Sequence, residues 1–463
     1  MNSFLRPSRR VVLMGAAAMT LPTLLAAQDQ WTVLEPQKTM AQILPASYPA
    51  TEIWAYGGTS PGPEIRLARG QRVQRRLRNS LEVPTSVHWH GIRIDNAMDG
   101  VPGLTQDVVA PGATFDYDFV APDAGTYWFH SHNQSTEQVA RGLYGALIVE
   151  EPDPLDIDRE EVLILDDWLM QETGVIDPAF SASHNRSHAG RNGNFVTTNS
   201  RYQPVLPAKK NERLRLRLIN AANARIFPLA LHGLSGWVVA YDGMPLAQPE
   251  PINDILVLAP AQRMDLIVDV TADEGEPAAL VWVNEDQPQI QVGFEVTGTA
   301  SLATRATPMA LPPNAALSMM DMSNPTPASL VMAGGAMGAL RQAELNGKTL
   351  NFRQIAAENQ YWAFNGVVGM TDNPLVDVAL GETVRLKIEN ETVFPHAMHL
   401  HCQHFREILK NGSMGPMRDT LLVGGRENTE IAFVGSNPGK WLYHCHMLSH
   451  QDAGMKTWIK VRA

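Results

Sequence analysis

A short segment near the C-terminus, HCHMLSHQDAGM, concentrates His, Cys and Met side chains, the softer metal ligands of proteins. It continues a strand-like run, and neighbouring side chains of a β-strand point to opposite faces. Cys445 therefore faces one way, while His444 and His446 face the other. The thiolate, with His450 and Met455 following at intervals of five, supplies most of a blue-copper electron-transfer site. The two imidazoles are free to bind something else, so one strand predicts two redox centres joined by a few covalent bonds.

A related arrangement occurs near the N-terminus. The sequence PDAGTYWFHSH, ending at His132, parallels NPGKWLYHCH, ending at His446. Upstream of each copy lies another His-x-His pair, and a strand aims both rings of such a pair at one face. The first and last parts of the chain therefore carry the same pairs in the same order. The eight imidazoles are those of His88, His90, His130, His132, His399, His401, His444 and His446.

The middle of the chain holds a third copy that lacks the ligands. Its sequence FPLALH lines up with FPHAMH in the last part, so that Leu229 and Leu234 stand where His396 and His401 would be. Only His232 remains, and we interpret it as an ordinary polar residue. The middle part is therefore predicted to be a copper-free spacer.

Eight imidazoles on two facing domains predict a cluster of more than one metal, because a single ion rarely takes over six ligands. Neutral imidazole and thiolate suit copper, and dioxygen chemistry at three coppers needs about this many nitrogen donors. The rest of the composition is that of an ordinary globular protein, with 18% charged residues. Its formal net charge of −11 argues against nucleic acid as a partner.

Residues 1–27 read as a signal peptide. They carry three arginines and no acid, followed by an apolar run that is broken by Pro22 and ends in small residues. The pair Arg9-Arg10 resembles a twin-arginine signal, with a plain secretory signal as the alternative. The apolar run is too short for a convincing membrane span. We therefore expect a periplasmic protein with no stable membrane span.

The chain has two cysteines, Cys402 and Cys445. A disulfide between them would consume the proposed copper thiolate, so none is expected. Another pair of histidines, His184 and His188, lies in a sequence without helical periodicity and is followed closely by glycines. We interpret this segment as a solvated turn.

Four segments, HWHG from His88, HSH from His130, HAMHLH from His396 and HCH from His444, followed by His450 and Met455, resemble the copper motifs of multicopper oxidases. The likeness extends over nearly the whole mature chain and is closest to the bacterial three-domain laccase-like type.

The resemblance implies an all-β fold of three consecutive cupredoxin-like Greek-key β-sandwich domains. We place domain 1, with half of the trinuclear site, at residues 28–152. The copper-free domain 2 is placed at 155–300. A connector rich in Met, Ala and Gly follows at 301–340. Domain 3, at 341–463, is expected to hold the type 1 copper and the other half of the trinuclear site.

The resemblance also implies the ligand roles and four coppers per chain. The type 1 copper would be bound by His396, Cys445 and His450, with Met455 axial. The type 2 copper would be bound by His88 and His399. The type 3 pair would be bound by His90, His130 and His446 on one ion, and by His132, His401 and His444 on the other.

By the same resemblance, a reducing substrate is oxidised one electron at a time at the type 1 site. Electrons pass from Cys445 to the trinuclear site, where dioxygen becomes two waters. The outer edge of His450 is the expected substrate contact. Asp99 matches the family's acid near the type 2 copper and would relay protons, although an Asp before Gly also suits a plain turn.

Several positions depart from the family pattern. Many relatives carry an acid directly after the second type 1 histidine, where this chain has Gln451, and Asp452 is the candidate substitute. Cys402 takes the place of a usual glycine and is interpreted as a small buried hydrophobe. Thr392 and Phe394 stand where copper-efflux oxidases hold Cu(I) with Asp and Met, which argues against a cuprous-oxidase site of that kind.

The expected partners are dioxygen and a small reducing substrate, a phenol or aromatic amine, and the chain is expected to be a monomer. Oxidation of Cu(I) for copper tolerance is the alternative within enzymes. Five methionines of the connector suit Cu(I), although a crossover whose methionines cover apolar surface is favoured: Met319, Met320, Met322, Met332 and Met337. A non-catalytic copper-storage protein is the alternative of another class. A copper nitrite reductase is a weaker alternative, because its catalytic site needs no doubled His-x-His pairs.

Overall fold

Strands account for most of the regular structure. The computed structural model describes residues 31–284, 287–314, 320–338 and 340–463, and Thr32–Ala463 pack as one unit. The expected signal peptide and Met319 lie outside the described residues. Among the described helices, none has the length and apolar character needed to cross a membrane.

The first group of strands forms a four-stranded sheet in the order β4-β9-β8-β6, a three-stranded sheet β1-β5-β7 and the hairpin pair β2-β3. A short 3-10 helix, Asn96–Met98, follows β6, and helix α1, Ser135–Ala140, follows β8. The strands are β1 Thr32–Leu34, β2 Pro36–Ala41, β3 Thr51–Tyr56, β4 Ile65–Ala68, β5 Arg72–Arg78, β6 Val87–His90, β7 Thr114–Val120, β8 Gly125–Ser131 and β9 Tyr144–Glu150.

The second group forms a six-stranded sheet, β11-β10-β13-β18-β15-β16, and a five-stranded sheet, β12-β20-β19-β14-β17. Helix α2, Ser183–Ser187, lies between β10 and β11 in the chain. The strands are β10 Arg159–Trp168, β11 Phe195–Thr198, β12 Val205–Lys210, β13 Arg213–Asn220, β14 Phe227–His232, β15 Leu234–Tyr241, β16 Met244–Pro251, β17 Leu256–Leu258, β18 Arg263–Val270, β19 Ala278–Trp282 and β20 Gln289–Thr299.

The third group forms a six-stranded sheet, β24-β21-β26-β31-β28-β29, a five-stranded sheet, β25-β33-β32-β27-β30, and the hairpin β22-β23. Its helices are α3, Phe352–Ala357, and α4, Leu448–Asp452. The strands are β21 Thr326–Gly334, β22 Gln342–Leu345, β23 Lys348–Asn351, β24 Trp362–Phe364, β25 Asp377–Ala379, β26 Thr383–Asn390, β27 His396–Leu400, β28 Phe405–Ile408, β29 Met414–Arg418, β30 Thr420–Val423, β31 Asn428–Val434, β32 Gly439–Cys445 and β33 Lys456–Arg462.

The second and third groups have matching topologies. Each has a six-stranded and a five-stranded sheet. In the five-stranded sheets, β14 lies between β19 and β17 in the second group, and β27 lies between β32 and β30 in the third, all in antiparallel pairs. This match agrees with the internal repeat FPLALH/FPHAMH. Leu229 of β14 and Leu234, the first residue of β15, pack into the core of the second group, whereas His232 is exposed.

The segment expected as an irregular connector, 301–340, differs from that expectation over Thr326–Gly334. These residues form β21, which pairs in parallel with β26 and antiparallel with β24. Met332 is fully buried in the core, while Met337 is exposed. The third group of strands therefore begins at Thr326, and Met332 packs in its core.

The HNRSH segment also differs from the expected solvated turn. It forms helix α2, in which the rings of His184 and His188 stack with centroids 4.1 Å apart. The carbonyl of Asn185 accepts a hydrogen bond from Ser449, and that of Arg186 accepts one from the indole of Trp362. Segment α2 is therefore tied to the third group by long-range contacts that local sequence patterns do not reveal.

Strand β13, RLRLRLIN, shows how alternation builds the contact between the first two groups. Its leucines enter the core of the second group, and its arginines share the opposite face. The guanidinium of Arg215 donates to both carboxylate oxygens of Glu151 at 2.7 and 2.8 Å and to Asp265 at 2.6 Å. Burial alone would raise the pKa of Glu151, but Arg215 and Arg217 lower it to about 2.

Replacing Arg215 with Met is expected to lower the free energy of unfolding by about 3–5 kcal/mol, because Glu151 and Asp265 lose a shared buried cation. Urea denaturation measures this loss. The Glu151 contribution is present above about pH 4.5 and is lost as the pH falls towards 2. The matched control is Arg385→Met, whose exposed pair with Glu430 contributes at most about 1 kcal/mol. Equal losses in the two variants would contradict the prediction.

Candidate copper centres

Two pairs of antiparallel strands bring the His-x-His pairs together. In the first group, β6 pairs with β8 so that His88 lies opposite His130. In the third group, β27 pairs with β32 so that His399 lies opposite His444. Since alternate residues share a face, each pair of strands presents its histidines on one surface.

The two surfaces meet, and eight imidazoles form one buried cluster. The Nε2 atoms of His401 and His444 lie 3.1 Å apart, and the Nε2 atoms of His130 and His446 lie 3.3 Å apart across the two groups. Ligand nitrogens lie within 4.8 Å of one another in three overlapping sets: His88, His399 and His401; His88, His90 and His130; and His132, His401 and His444.

Four of the eight rings are fixed by a hydrogen bond on the nitrogen that faces away from the cluster. The Nδ1 atoms of His88, His130, His399 and His444 lie 2.8–3.0 Å from backbone carbonyl oxygens, to which Nδ1–H can donate. Such bonds set the tautomer and leave Nε2 with its lone pair pointing inward, as metal ligation requires.

Several nitrogens of the eight rings have no hydrogen-bond partner among the described residues although they are fully buried. They are Nε2 of His88, Nδ1 of His90, both nitrogens of His132, Nε2 of His399 and Nδ1 of His446. Orphaned buried nitrogens are costly unless another group pairs with them. Burial, with repulsion from neighbouring imidazoles, lowers the pKa of six of these histidines well below the usual range: His90, His130, His132, His401, His444 and His446. Neutral rings with free lone pairs fit a copper cluster.

A separate triangle of donors lies on the other side of Cys445. Its Sγ is 3.6 Å from Nδ1 of His396 and 3.8 Å from Nδ1 of His450, and the two nitrogens are 3.2 Å apart. Three donors at these separations can converge on one ion, and two imidazoles with a thiolate are the donor set of blue copper. Burial raises the pKa of the Cys445 thiol to about 12. Binding of a metal would therefore release a proton.

The rings of this triangle are fixed from outside. His396 Nε2 lies 2.9 Å from the hydroxyl of Thr392, and His450 Nε2 lies 2.7 Å from the carbonyl of His188. The indole of Trp362 packs against both rings, at 5.1 Å from His396 and 4.4 Å from His450. Both Nδ1 atoms are thereby turned towards Cys445.

The outer edge of His450, expected to contact substrate, is covered in the structure. The ring is buried, and the backbone of His188 lies over it. His188 is itself partly exposed. Met455, expected as an axial ligand, is fully buried, and its carbonyl accepts a hydrogen bond from the Cys445 amide at 3.1 Å.

Asp99 lies behind the eight-histidine cluster. Both of its carboxylate oxygens lie 3.1 Å from Nδ1 of His401, and Oδ1 lies 3.2 Å from Nδ1 of His88. Cys402 is buried beside it with a φ of 52°, the left-handed conformation that favours the glycine usual at this place. Both cysteines are free.

The two residues that follow His450 lie at a cavity of about 510 Å³, which is also lined by His132. The side chain of Gln451 is buried, with no hydrogen-bond partner for its Oε1 among the described residues. Asp452 is half-buried, and its carboxylate accepts a hydrogen bond from the hydroxyl of Thr136 at 2.6 Å. An acid and one of the cluster histidines therefore line the same cavity.

Asp419 was not found by the sequence reasoning. Its Oδ1 lies 3.4 Å from Nε2 of His90 and 3.4 Å from Nδ1 of His399. Arg263, from the second group, pairs with it through two hydrogen bonds at 2.9 and 2.5 Å. Burial opposes ionisation of Asp419, but Arg263 holds its pKa well below the usual range. Its position after Arg418 on the sheet edge gave no local signal of this role.

Three family models, each described as multicopper oxidase, match residues 37–154, 159–289 and 344–463. Multicopper oxidase MmcO of Mycobacterium tuberculosis is 31% identical over 88% of this chain and 83% of its own length. A copper resistance protein A homolog of Pseudomonas syringae pv. tomato is 26% identical over 87% of this chain and 88% of its own.

Solved structures agree with these sequence matches. Lac15 from a marine microbial metagenome is 42% identical, with a TM-score of 0.76 over 93% of this chain and 100% of that one. The multi-copper oxidase from Pseudomonas thermotolerans is 29% identical, with a TM-score of 0.81 over 93% and 98%. The chain therefore belongs to the multicopper oxidase family, as an oxidoreductase of three cupredoxin-like domains that uses oxygen and binds four coppers, one type 1, one type 2 and a type 3 pair.

Proposed function

We propose that this oxidase acts on phenols or similar aromatic donors, as laccases do. The observation that carries the proposal is the triangle of His396, Cys445 and His450, whose outer ring edge, at Nε2 of His450, lies 2.7 Å from the backbone carbonyl of the partly exposed His188. Thr392 and Phe394 stand where a copper-efflux oxidase would bind Cu(I) with Asp and Met, which favours an organic donor.

We propose the ligand roles that the resemblance implies. His396, Cys445, His450 and Met455 would hold the type 1 copper, and His88 and His399 would hold the type 2 copper. The type 3 ions would be held by two sets of three histidines: His90, His130 and His446, and His132, His401 and His444. When bound, copper supplies one-electron chemistry at the first site and dioxygen reduction at the trinuclear site.

The chain's own residues connect these two sites. His444 and His446 flank Cys445 in sequence, so a few covalent bonds join the thiolate to both type 3 sets. Trp362 and the backbone of α2 exclude water from the outer side of the triangle. This burial reduces the solvent reorganisation that accompanies a change of charge.

We further propose that Asp99 and Asp452 serve the protons that dioxygen reduction consumes. Asp99 can hold a proton at its carboxylate within 3.1 Å of His401 Nδ1. Asp452 stands at the cavity beside His132, where Gln451 cannot carry a proton. The acid at the cavity would then exchange protons with water, and the buried acid would deliver them.

Oxidation of Cu(I) is the second candidate, and one observation favours it. The rings of His184 and His188 stack on the segment whose backbone carbonyl, that of His188, contacts His450, and imidazole suits copper. His184 is exposed and lies outside the proposed ligand set. A relative with a copper-resistance name is consistent with this candidate.

Turnover of a methoxyphenol and of Cu(I) by the parent enzyme and by His184→Ala distinguishes the candidates. An organic-donor enzyme is expected to oxidise the phenol faster, with little change of either rate in the variant. A cuprous oxidase is expected to lose Cu(I) turnover by about tenfold and to keep phenol turnover. The control replaces Met320, Met322 and Met337 with Leu, which leaves the buried strand residue Met332 intact.

We propose that the protein is exported to the periplasm through the twin-arginine signal in residues 1–27. We also propose that the mature protein is a monomer, and that its domains have the boundaries expected above, with domain 3 extended to include β21. The support is the basic head and short apolar run of the sequence. Replacing Arg9 and Arg10 with Lys is expected to retain the protein in the cytoplasm, which fractionation measures. Sedimentation of the mature protein tests the monomer.

A further inference from the structure

One buried ion pair joins the middle domain to the trinuclear histidines. Asp419 lies between the guanidinium of Arg263 on one side and the outer nitrogens of His90 and His399 on the other. All four side chains are fully buried. His90 and His399 come from domains 1 and 3, so this carboxylate spans the seam between the two halves of the cluster.

Further hydrogen bonds fix the Asp419 carboxylate in this position. Its Oδ1 accepts hydrogen bonds from Arg263 at 2.9 Å and from the hydroxyl of Thr420 at 2.7 Å. The same hydroxyl lies 3.1 Å from Nδ1 of His399, and the Asp419 carbonyl lies 3.0 Å from that nitrogen. The carboxylate is therefore held rigidly against the ring it faces.

Arg263 is held with equal rigidity by the backbone around it. Its Nε donates to the carbonyl of Thr126 at 3.2 Å, and its Nη1 donates to the carbonyl of Ala261 at 3.2 Å. Asp242 accepts a hydrogen bond from the Arg263 amide at 2.9 Å. The planar fork is thus pre-organised for a two-bond contact with the carboxylate.

The packing around the pair leaves no space. Gly91, in the first copper motif, has a φ of 84°, and a Cβ at this residue would lie 2.1 Å from Nη2 of Arg263 and 2.4 Å from Oδ2 of Asp419. The glycine of HWHG is therefore required by the ion pair as well as by its backbone conformation. The motif and the middle-domain arginine fit each other directly.

The positive charge of Arg263 offsets the cost of burying the Asp419 carboxylate. A buried carboxylate without a partner is costly, and the imidazoles beside it are neutral. Outer partners that hydrogen-bond to ligand histidines fix the tautomer and ring orientation, and their loss typically costs 10–100-fold in metal affinity.

We propose that Arg263 is a positioning residue of the trinuclear site, through which the copper-free middle domain holds Asp419 behind His90 and His399 and so sets the affinity for the type 2 copper. The inference rests on the ligand roles proposed above. It assigns the middle domain a part in the metal site beyond that of a spacer.

A purely structural ion pair between domains is the competing explanation, and the chain offers a matched control for it. Arg217 is also a buried arginine of the middle domain and also bonds Thr126, through the hydroxyl at 2.9 Å. Its acidic partners are Glu160, Asp265 and Glu151, whose ion pairs are with arginines and not with the cluster histidines. Arg217→Gln therefore removes a comparable interdomain contact without touching Asp419.

The experiment compares the parent oxidase with Arg263→Gln and Arg217→Gln, each fully loaded with copper and then dialysed against a graded copper chelator. Bound copper is counted, the type 2 copper is followed by electron paramagnetic resonance, and the type 1 copper by its thiolate absorption band. We expect Arg263→Gln to release the type 2 copper at about 10–100-fold lower chelator concentration, with the type 1 band retained. Arg217→Gln is expected to behave like the parent.

Equal release from the Arg263→Gln and Arg217→Gln variants would overturn the inference. If Arg263→Gln does not fold, Arg263→Lys and Arg217→Lys replace the pair, because Lys keeps the charge and loses the fork. Arg263→Lys is then expected to weaken type 2 binding several-fold, and equality with Arg217→Lys would overturn the inference. A parent protein that binds no type 2 copper would instead contradict the proposed ligand roles.

Discussion

Replacing Cys445 with Ser is expected to abolish the thiolate absorption band and to lower substrate oxidation by at least about a thousandfold. The physical reason is that Cys445 supplies the only thiolate within reach of the His396–His450 triangle. A serine hydroxyl is a far harder and less polarisable donor than a thiolate. It also leaves no sulfur in the covalent connection to His444 and His446.

The measurements are dioxygen uptake with a phenol, the visible spectrum and the copper content. About three coppers per chain are expected to remain, since the eight-histidine cluster does not use Cys445 as a ligand. Cys402→Ser is the matched control, because it alters the other buried free cysteine. A Cys445→Ser enzyme that kept its band, or a Cys402→Ser enzyme that lost it, would contradict the assignment of the type 1 thiolate.

The sequence predicted those parts of the site that repeat or lie close together in the chain. Alternation along β32 placed Cys445 on the face opposite to His444 and His446. The repeat of His-x-His pairs predicted that the first and third domains share one cluster. Both features follow from the two-residue period of a strand, which can be read without knowing the tertiary structure.

The parts that were missed depend on contacts between residues far apart in sequence. Arg263 of the second domain contacts Asp419 of the third, and the carbonyl of His188, directly after helix α2, contacts His450. A backbone carbonyl has no sequence signature, and an Arg in the alternating strand β18 reads as an ordinary exposed position. The buried charges of the middle domain therefore became visible only in the folded chain.

The connector shows a second kind of limit. Its composition, rich in Met, Ala and Gly, suggested irregular structure over 301–340. Residues 326–334 nevertheless form β21, because β26 and β24 offer it parallel and antiparallel partners in the sheet. Tertiary pairing overrides the weak local preference of such a segment.

Replacing Asp99 with Ala is expected to slow dioxygen reduction by about 10²–10³-fold while leaving the type 1 site intact. Asp99 is the buried carboxylate that contacts the outer nitrogens of both His401 and His88. In the variant a phenol should still bleach the type 1 band. Recovery of the band after air is readmitted should become slow, which stopped-flow absorption measures.

Two further variants separate proton delivery from positioning. Asp99→Asn keeps an oxygen that can accept the Nδ1–H of His401 but carries no exchangeable carboxyl proton. Asp166→Asn is the control, because Asp166 is also a buried acid. Burial and the nearby Asp167 raise its pKa well above the usual range. Its carboxylate accepts a hydrogen bond from the hydroxyl of Tyr144 at 2.6 Å and not from a cluster histidine.

If Asp99 delivers protons, Asp99→Asn should slow reoxidation about as much as Asp99→Ala while retaining all four coppers. If it only orients rings, the Asn variant should reoxidise almost as fast as the parent enzyme. The turn itself is secured by Gly100, where a Cβ would lie 1.8 Å from the carbonyl oxygen of Val87. Unchanged reoxidation in both Asp99 variants would therefore leave Asp99 with only its place before that glycine. Asp452, at the cavity that His132 also lines, would then be the remaining candidate for the proton donor.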